Sequence, residues 1–455
     1  MSRTTLLALL STIGCTFSGK GVADQPDGGG PNDPDARPID GATDGSVDAP
    51  FNAPAPVLIP GGGVRGGAIF GVVNVYVIDQ VSGQGIAGAS VTIGSIAGTT
   101  DATGLFVATT NTLAGKQSVL AIANGYRAEY WVGVNGANVT VPLRPVPLPV
   151  VPRADVVGTF TNITSIPITT GHYRLGFVTY SASDTAGDAA NNLDTAGNAN
   201  FCTTPPGSTC DFAVTSRTGP VALIGTILEV DPNGPGGSDD VVTFLTWAYR
   251  TGITVVSGTA QTGQNLTIVA RNSLQTATVA FGTPPASLQR TSGYIGFELG
   301  DEGVAQLPLP ATPASPTLQV PPLATFPGAT LRLTGIARGD SGASSIVIRR
   351  GFTGLTLDAG TWLTPPASIV PSRTMPSWVV DANTDIATFM VRDIIEVMVF
   401  DGTTSVAIPA AVNVPGGGRE GSVGSLGGSL DVTNFGFVEQ LEQFTEFATT
   451  PVTVQ

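Results

Sequence analysis

The chain has 455 residues, of which 42% are hydrophobic and 12% charged, and its formal net charge is -14 at pH 7. This length predicts two to four domains, and the 59 glycines, 35 prolines and few charges are typical of an extracytoplasmic β-protein. The negative charge excludes nucleic acid as a partner, because binding to phosphates needs clustered lysine and arginine.

The N-terminus has the layout of a signal peptide. Arg3 precedes an apolar run at residues 6–13, and a cysteine stands at position 15. The run is too short to cross a bilayer, which takes about 20 residues. Residues 1–14 and Cys15 resemble the signal peptide and lipobox of bacterial lipoproteins, which implies cleavage before Cys15 and its lipidation. Because Thr16 rather than aspartate follows, the resemblance implies the outer membrane. Ordinary secretion is the alternative.

Residues 15–63 are predicted to form a disordered linker. The stretch from 18 to 60 is rich in glycine, proline and aspartate, and its seven aspartates face only Lys20 and Arg37. Such a sequence buries too little apolar surface to offset the entropy cost of ordering. A flexible coil of about 48 residues separates anchor and body by roughly 40 Å.

Residues 64–146 carry the strongest strand pattern. Strands are predicted at 71–79, 89–93, 118–123 and 139–143, and Asp101 and Gly104 predict a turn with a capping carboxylate and a positive φ. The order of these motifs, with Gly125-Tyr126 before the last strand, resembles the carboxypeptidase regulatory-like domain, a transthyretin-like Greek-key β-sandwich. The resemblance implies an accessory module without catalytic residues.

The residues present argue against two kinds of protease, a zinc carboxypeptidase and a trypsin-like serine protease. A zinc carboxypeptidase holds its metal with at least two histidines and a glutamate, and His172 is the only histidine of the chain. The motif Gly339-Asp340-Ser341-Gly342 resembles the nucleophile loop of trypsin-like serine proteases, but the sequence around it and around His172 departs from that family. We interpret this motif as a hairpin turn between strands at 331–336 and 345–349.

The remaining residues are predicted to form two β-rich domains, 147–310 and 311–455, with a proline-rich passage between them. One larger sandwich is the alternative. Further strand-like runs lie at 173–180, 221–230, 241–249, 267–270 and 395–400. Residues 438–447 fit a short helix or a strand. The predicted fold class is therefore all-β, with tandem β-sandwich domains after the linker.

Cys202 and Cys210 are the cysteines that remain after the signal region. In an oxidising compartment we predict that they form a disulfide, which closes a short loop and contributes roughly 2.5 kcal/mol. A zinc site is disfavoured because further thiols and histidines are lacking, and the C-x-x-C spacing of redox pairs is absent.

One loop is a weak candidate for a structural calcium ion. Asp231, Asn233, Asp239 and Asp240 place several oxygen donors on a turn-forming segment, as hard cations require. The segment lacks the downstream glutamate of an EF-hand, and a solvated hairpin loop is the alternative. The loop at 184–200 is a weaker candidate. No other cofactor is predicted.

Aromatic residues offer a possible carbohydrate platform. Tyr126, Tyr130 and Trp131 lie close together in sequence, with Tyr130 and Trp131 on opposite faces of a strand. Core packing is the commoner use of such side chains and is the favoured interpretation.

The sequence as a whole favours a lipid-anchored protein of the bacterial cell envelope. We expect a non-catalytic, structural or adhesion-like role toward an envelope protein or glycan. The alternative is an accessory subunit of a surface hydrolase or transport complex. An enzyme that uses two carboxylates distant in sequence is a third possibility that sequence alone does not resolve.

Overall fold

The computed structural model describes residues 54–150, 152–182, 201–204, 209–233, 240–309, 315–438, 440 and 445–455, without the side chains of 201–204 and 240–242. The first part contains β1 (Gly63–Arg65), β2 (Phe70–Asp79), β3 (Ser90–Ile93), β4 (Ile96–Thr99), β5 (Leu105–Ala114), β6 (Gln117–Ile122), β7 (Ala128–Val134) and β8 (Asn138–Leu143). These strands include the four predicted in this region.

The middle of the chain contributes ten more strands. They are β9 (Arg153–Thr159), β10 (Tyr173–Tyr180), β11 (Phe201–Thr204), β12 (Asp211–Arg217), β13 (Gly219–Asp231), β14 (Asp240–Val255), β15 (Thr267–Ile268), β16 (Gln275–Ala280), β17 (Gln289–Glu298) and β18 (Val304–Leu309). The runs predicted at 173–180, 221–230, 241–249 and 267–270 correspond to β10, β13, β14 and β15.

The last part completes the set. Its strands are β19 (Thr317–Val320), β20 (Thr330–Arg338), β21 (Ser344–Phe352), β22 (Thr356–Asp358), β23 (Ala367–Val370), β24 (Ser377–Val379), β25 (Ile386–Val391), β26 (Ile395–Val399), β27 (Arg419–Gly427), β28 (Phe435–Gly436) and β29 (Glu446–Val454). Helix within the described residues is limited to 3-10 turns at Ile163–Ser165, Arg271–Ser273, Gly300–Glu302 and Leu323–Thr325. The predicted all-β class with tandem β-sandwiches is confirmed.

One twelve-stranded sheet, here called the long sheet, runs through most of the molecule. Its strand order is β18-β17-β20-β21-β29-β27-β25-β26-β7-β6-β3-β4. A parallel pairing joins β7 to β26, so that Ala128 lies opposite Ile395 and Val132 opposite Val399. The long sheet therefore combines strands from the beginning and the end of the described chain.

A second sheet, here called the N-terminal sheet, packs on one end of the long sheet. Its order is β28-β1-β8-β2-β5. Alternate residues of β2, such as Val73, Val75 and Val77, are fully buried in a shared core with Trp131 of β7. This alternation is the period-2 pattern that the sequence shows in this region. The same core takes in Phe435 of β28, which comes from the far end of the chain.

The middle of the chain forms a further stack, which shares Ile224 and Trp247 with the core at the other end of the long sheet. The order β11-β10-β13-β14-β15 describes one sheet, and β9 pairs with β12 in another. Phe160, Phe212 and Leu245 are buried between them. The sheet β19-β16-β22 covers the other end of the long sheet, where Phe281 and Phe297 are buried.

Both the long sheet and the cores cross the predicted domain boundaries. The boundary at 146/147 separates β7 from its partner β26, and the boundary at 310/311 separates β17 from its partner β20. A division of the chain at these two points would therefore cut hydrogen-bonded strand pairs.

The predicted turn before β5 has the expected geometry. The Asp101 carboxylate accepts hydrogen bonds from the backbone N–H of Thr103 at 2.8 Å and of Leu105 at 3.0 Å. Gly104 has a φ of +83°, and a Cβ there would lie 2.6 Å from the Val77 carbonyl oxygen. The turn therefore needs glycine both for its backbone angle and for the close approach of β2.

The last ten residues of the predicted linker, 54–63, are held against the N-terminal sheet. Asn138 Oδ1 accepts hydrogen bonds from Val57 N at 3.2 Å and from Asn74 Nδ2 at 3.0 Å. Thr140 Oγ1 accepts from Ile59 N at 2.9 Å, and the Ile59 side chain is fully buried. Residues 54–63 thus belong to the folded body, while 15–53 lie outside the described residues.

We predict that Asn138→Ala loosens this attachment. The substitution leaves the Asn74 amide and the Val57 N–H without their shared acceptor, which costs about 1–3 kcal/mol of unfolding free energy. Urea denaturation measures the loss, and limited proteolysis should cleave sooner near residue 57. Asn434→Ala, on an exposed loop residue, is the control and should change stability little. Equal stability of the two variants would contradict the prediction.

Candidate functional site

A row of side chains crosses one face of the long sheet at the border of the N-terminal core. Register pairs place Glu129 of β7 opposite Glu396 of β26, Glu396 opposite Met390 of β25, Met390 opposite Ser422 of β27, and Ser422 opposite Pro451 of β29. Residues that lie opposite one another on neighbouring strands share a face. The five side chains therefore form one continuous row.

The neighbouring row marks where the core ends. Two residues further along their strands, Trp131 and Met398 are opposite each other and buried in the N-terminal core. Met390 and Ser422 in the first row are only half-buried. The first row thus lies at the edge of the N-terminal core, where the face of the long sheet becomes accessible to solvent.

Arg127 connects the two glutamates of the row. Its Nη2 donates to Glu129 Oε1 at 2.8 Å and also to Glu396 Oε2, while its Nη1 lies 3.3 Å from the Met390 sulfur. Its backbone N–H donates to the Arg144 carbonyl at 2.9 Å. Only 3% of the Arg127 side chain is exposed. One guanidinium therefore bridges the carboxyl groups of two adjacent parallel strands.

A surface cavity of about 760 Å³ opens beside this cluster. Its floor includes Met390 and Ser422 of the row. The full lining is Arg144, Met390, Arg392, Asp393, Glu420, Gly421, Ser422, Pro451, Val452 and Thr453. The cavity thus presents both charge signs together with small apolar surfaces.

Charged side chains at the rim are held by one another. Arg392 Nη1 donates to Glu420 Oε2 at 2.6 Å, and Arg392 Nε lies 3.8 Å from Asp393 Oδ2. Asp393 has a φ of +59°, in the left-handed region, within the turn between β25 and β26. Aspartate tolerates this backbone angle better than most residues other than glycine, so it suits the tight turn here.

The electrostatics behind the cavity are unusual. Burial, together with the neighbouring Glu396, raises the pKa of Glu129 to about 8 in spite of the opposing Arg127 charge. Burial alone would lower the pKa of Arg127, but the Glu396 and Glu129 carboxylates raise it. Burial and the nearby Arg127 lower the pKa of Arg144. The cluster therefore carries a proton on Glu129 across much of the neutral range.

This arrangement is suited to recognition. Glu129 and Glu396 do not line the cavity, and both are occupied by Arg127. The groups that do line it are hydrogen-bond donors and acceptors beside apolar patches, as in sites that bind polar ligands.

The predicted lipidation and disulfide residues are only partly described. Cys15 lies outside the described residues, as does the side chain of Cys202. Cys210 is fully buried and disulfide-bonded. The pairing of Cys202 with Cys210 stays a prediction.

The calcium candidate lies in the hairpin that joins β13 to β14. Asp231 Oδ1 accepts from Asn233 N at 2.9 Å and lies 3.8 Å from His172 Nε2. Asp239, the Asp240 side chain and the loop at 184–200 lie outside the described residues. Within the residues that the structure describes, no three acidic, histidine or cysteine side chains converge as a metal site.

The protease-like motif is a turn, as predicted. Residues 339–343 connect β20 to β21, and Gly342 N donates to the Gly339 carbonyl at 3.0 Å. The Ser341 hydroxyl accepts from Ala343 N at 3.4 Å, and His172 Nδ1 lies 2.8 Å from Glu229 Oε1. Hydrogen bonds from Thr169 and the neighbouring His172 lower the pKa of Glu229.

The aromatic residues are used mainly inside the protein. Trp131 is fully buried, and the other three tryptophans are at most 8% exposed. The Tyr126 hydroxyl donates to Asp79 Oδ2 at 2.9 Å. Tyr130 packs on the opposite face from Trp131, as predicted. Trp131 is therefore a core residue, which is the commoner of the two uses considered from the sequence, and it is not part of a carbohydrate platform.

Sequence reasoning missed Arg127, Glu129 and Glu396. A usable signal was present, because Glu129 lies within the apolar run 128–134 and Glu396 within the apolar run 394–400, and such charges are rarely buried without a partner. What the sequence does not give is the pairing of β7 with β26 that brings them together.

None of the helices in the described part of the chain is long and apolar enough to cross a membrane.

We predict that Glu129→Gln flattens the pH dependence of stability. The native pKa of about 8 exceeds the ordinary 4.5, so the folded state holds a proton that the unfolded state releases. Stability is therefore fully present below about pH 4.5 and falls by a few kcal/mol as the pH rises to about 8. Glutamine cannot ionise, so this loss should disappear. Thermal melts from pH 5 to 9 measure it, with the exposed Glu420→Gln as control. An unchanged slope in Glu129→Gln would contradict the prediction.

Comparison with known proteins gives little for this chain. No protein-family model matches it, and no curated protein matches it. Among solved structures, the pilus adhesin SpaC from Lactobacillus rhamnosus GG is similar at 8% identity with a TM-score of 0.13. The match covers 76% of this chain and 43% of the adhesin, so the chain spans less than half of that protein. Similarity at this level supports no inference about function.

Proposed function

We propose that this chain is a lipid-anchored protein of the bacterial cell envelope with a binding role, and that the cavity beside Arg127 is its binding site. The observation that carries the proposal is that the charged side chains in and behind the cavity are paired with one another. Arg127 occupies Glu129 and Glu396, and Arg392 occupies Glu420. Because these charges are paired with one another, the cavity offers a ligand mainly hydrogen-bonding groups and apolar contacts.

The lining of the cavity favours a polypeptide segment as the ligand. Met390, Pro451 and Val452 supply apolar contact, and Arg144 and Asp393 supply groups of both signs. Flat sugar rings are held most often by exposed aromatic faces, and the four tryptophans are buried. A segment of an envelope protein is therefore the proposed ligand, and a glycan is an outcome that the experiment below distinguishes.

The proposed lipid anchor is at Cys15, before the folded body of the protein. The lipobox-like sequence before Cys15 supports lipid attachment, and residues 54–63 are fixed to the N-terminal sheet. The motif order in residues 64–146 supports a carboxypeptidase regulatory-like domain in an accessory role. Outer-membrane location is part of the proposal, because Thr16 follows Cys15.

We predict that Cys15→Ala releases the protein from the membrane. Without the thiol no lipid is attached, and the stabilisation of about 0.8 kcal/mol per buried methylene is lost. Fractionation of cells followed by immunoblotting measures the released share. Ser18→Ala, a nearby substitution that leaves the cysteine intact, should keep the protein in the membrane fraction. Membrane association of both variants would contradict the proposed anchor.

We predict that a photo-reactive residue at Thr453, on the cavity rim, captures one envelope protein in living cells. Photo-cross-linking is needed because the chain has only two lysines for amine-reactive reagents. Combining the probe with Ser422→Trp, which fills the cavity, should abolish capture. The matched control places the probe at the exposed Thr259, far along the chain.

Capture from both positions, or capture that survives the filled cavity, would contradict the proposed site. Capture of a glycan would assign the other ligand class. Capture of a hydrolase or transporter subunit would make the chain an accessory subunit of that complex.

A further inference from the structure

The outer face of the N-terminal sheet, opposite its core, is only partly covered by the described chain. Val73 of β2 and Ala108 of β5 are buried in the core, so the next residues along these strands, Asn74 and Val107, lie on the outer face. Asn74 and Val107 are opposite each other in the register of the two strands. Asn74 is buried, whereas Val107 is 47% exposed. The cover over the outer face therefore ends between β2 and β5.

Residues 54–59 approach this boundary in a definite direction. Val57 N donates to Asn138 Oδ1, on β8, at 3.2 Å. The Pro54 carbonyl accepts from Asn74 Nδ2, on β2, at 3.0 Å. Followed towards the N-terminus, the chain thus passes from β8 to β2, and the next strand of the sheet in that direction is β5.

Three more residues are enough to reach Val107. Neighbouring strands lie about 4.8 Å apart, and an extended residue spans about 3.3–3.6 Å. Residues 51–53 can therefore extend about 10 Å from Pro54, which crosses β5 at the level of Val107. The register of β2 with β5 is regular from Val72 to Tyr76, so the outer face at this level is a continuous surface.

The composition of the chain changes where this contact would begin. Positions 24–48 hold seven aspartates, whereas residues 49–64 contain no charged side chain. Phe51 is the only aromatic residue between positions 18 and 69. Its ring is the largest apolar group that can cover Val107, and burial of apolar surface is the main favourable contribution to such packing.

We infer that residues 49–53 continue across the outer face of the N-terminal sheet and pack the Phe51 ring on Val107. The occupant is a segment of the same chain, because Pro54 already holds its covalent continuation beside the site. The effective concentration of the segment there is high, and a second copy or another protein would have to displace it. Neither the cavity nor lipid attachment is needed for this contact.

Tryptophan fluorescence tests the contact in the full chain carrying Cys15→Ala and Phe51→Trp. The four native tryptophans are at most 8% exposed, so acrylamide, a neutral quencher, acts mainly on an indole introduced outside the core. A chain with Cys15→Ala and Ile39→Trp, in the aspartate-rich segment, is the reference. We expect acrylamide to quench the indole at position 51 about threefold less than the indole at position 39, because packing on the sheet shields the ring.

Two further substitutions locate the shielding surface. Adding Val107→Glu to the Phe51→Trp chain replaces the apolar contact with a charge and should raise quenching to the level of the reference. Val256→Glu adds the same charge at another exposed valine, which is 55% exposed, and should leave the quenching unchanged. Circular dichroism shows whether each variant keeps its fold. If Val107→Glu unfolds the chain, the smaller change Val107→Ser repeats the test.

Three results would overturn the inference. The first is equal quenching at positions 51 and 39, since the outer face would then be open to another protein. The second is an indole at position 51 that stays shielded with Val107→Glu, since its ring would then pack elsewhere. The third is shielding that grows with protein concentration, which would assign the outer face to a second copy of the chain.

Discussion

The parallel pairing of β7 with β26 is the contact on which the architecture depends. It joins residues 128–134 to residues 395–399 and thereby turns two groups of strands into one long sheet. Without it the N-terminal core would lose Met398 and Phe400, and the row that floors the cavity would be split between Glu129 and Glu396. The pairing thus brings Arg127 and Arg144 to the candidate site, whose remaining lining comes from residues 390, 392–393, 420–422 and 451–453.

The buried charges at this junction are best understood as determinants of register. Removing an arginine and two carboxylates from water is expensive, and their mutual attraction does no more than offset that cost. A shift by one residue would turn Glu129 or Glu396 to the other face of the sheet, away from Arg127. We interpret the cluster as favouring one alignment of β7 on β26, with the protonated state of Glu129 reducing the charge that has to be buried.

The sequence predicted the strands far better than their partners. The alternation of apolar residues in β2, β3 and β10 depends on neighbours a few residues away, and so does the turn from Asp101 to Gly104. Such local features can be predicted directly from the sequence. The pairing of β7 with β26 joins residues more than 260 positions apart, and local patterns contain no information about it. The sequence therefore did not reveal that strands on the two sides of residue 146 share one sheet. Residues 54–63 were assigned to the linker by composition, although Ile59 is fully buried. The charges of Glu129 and Glu396 within apolar runs were the one local sign of the site.

The late completion of the N-terminal core has a consequence for biogenesis. Strands β1 and β2 belong to a sheet whose edge strand β28 lies at residues 435–436. During synthesis residues 63–79 are made first, so their apolar faces stay uncovered until residues 435–436 have been made. Contacts of such long sequence separation also fold slowly. A protein built in this way exposes apolar surface for longer before it folds, and products truncated before residue 435 are expected to aggregate.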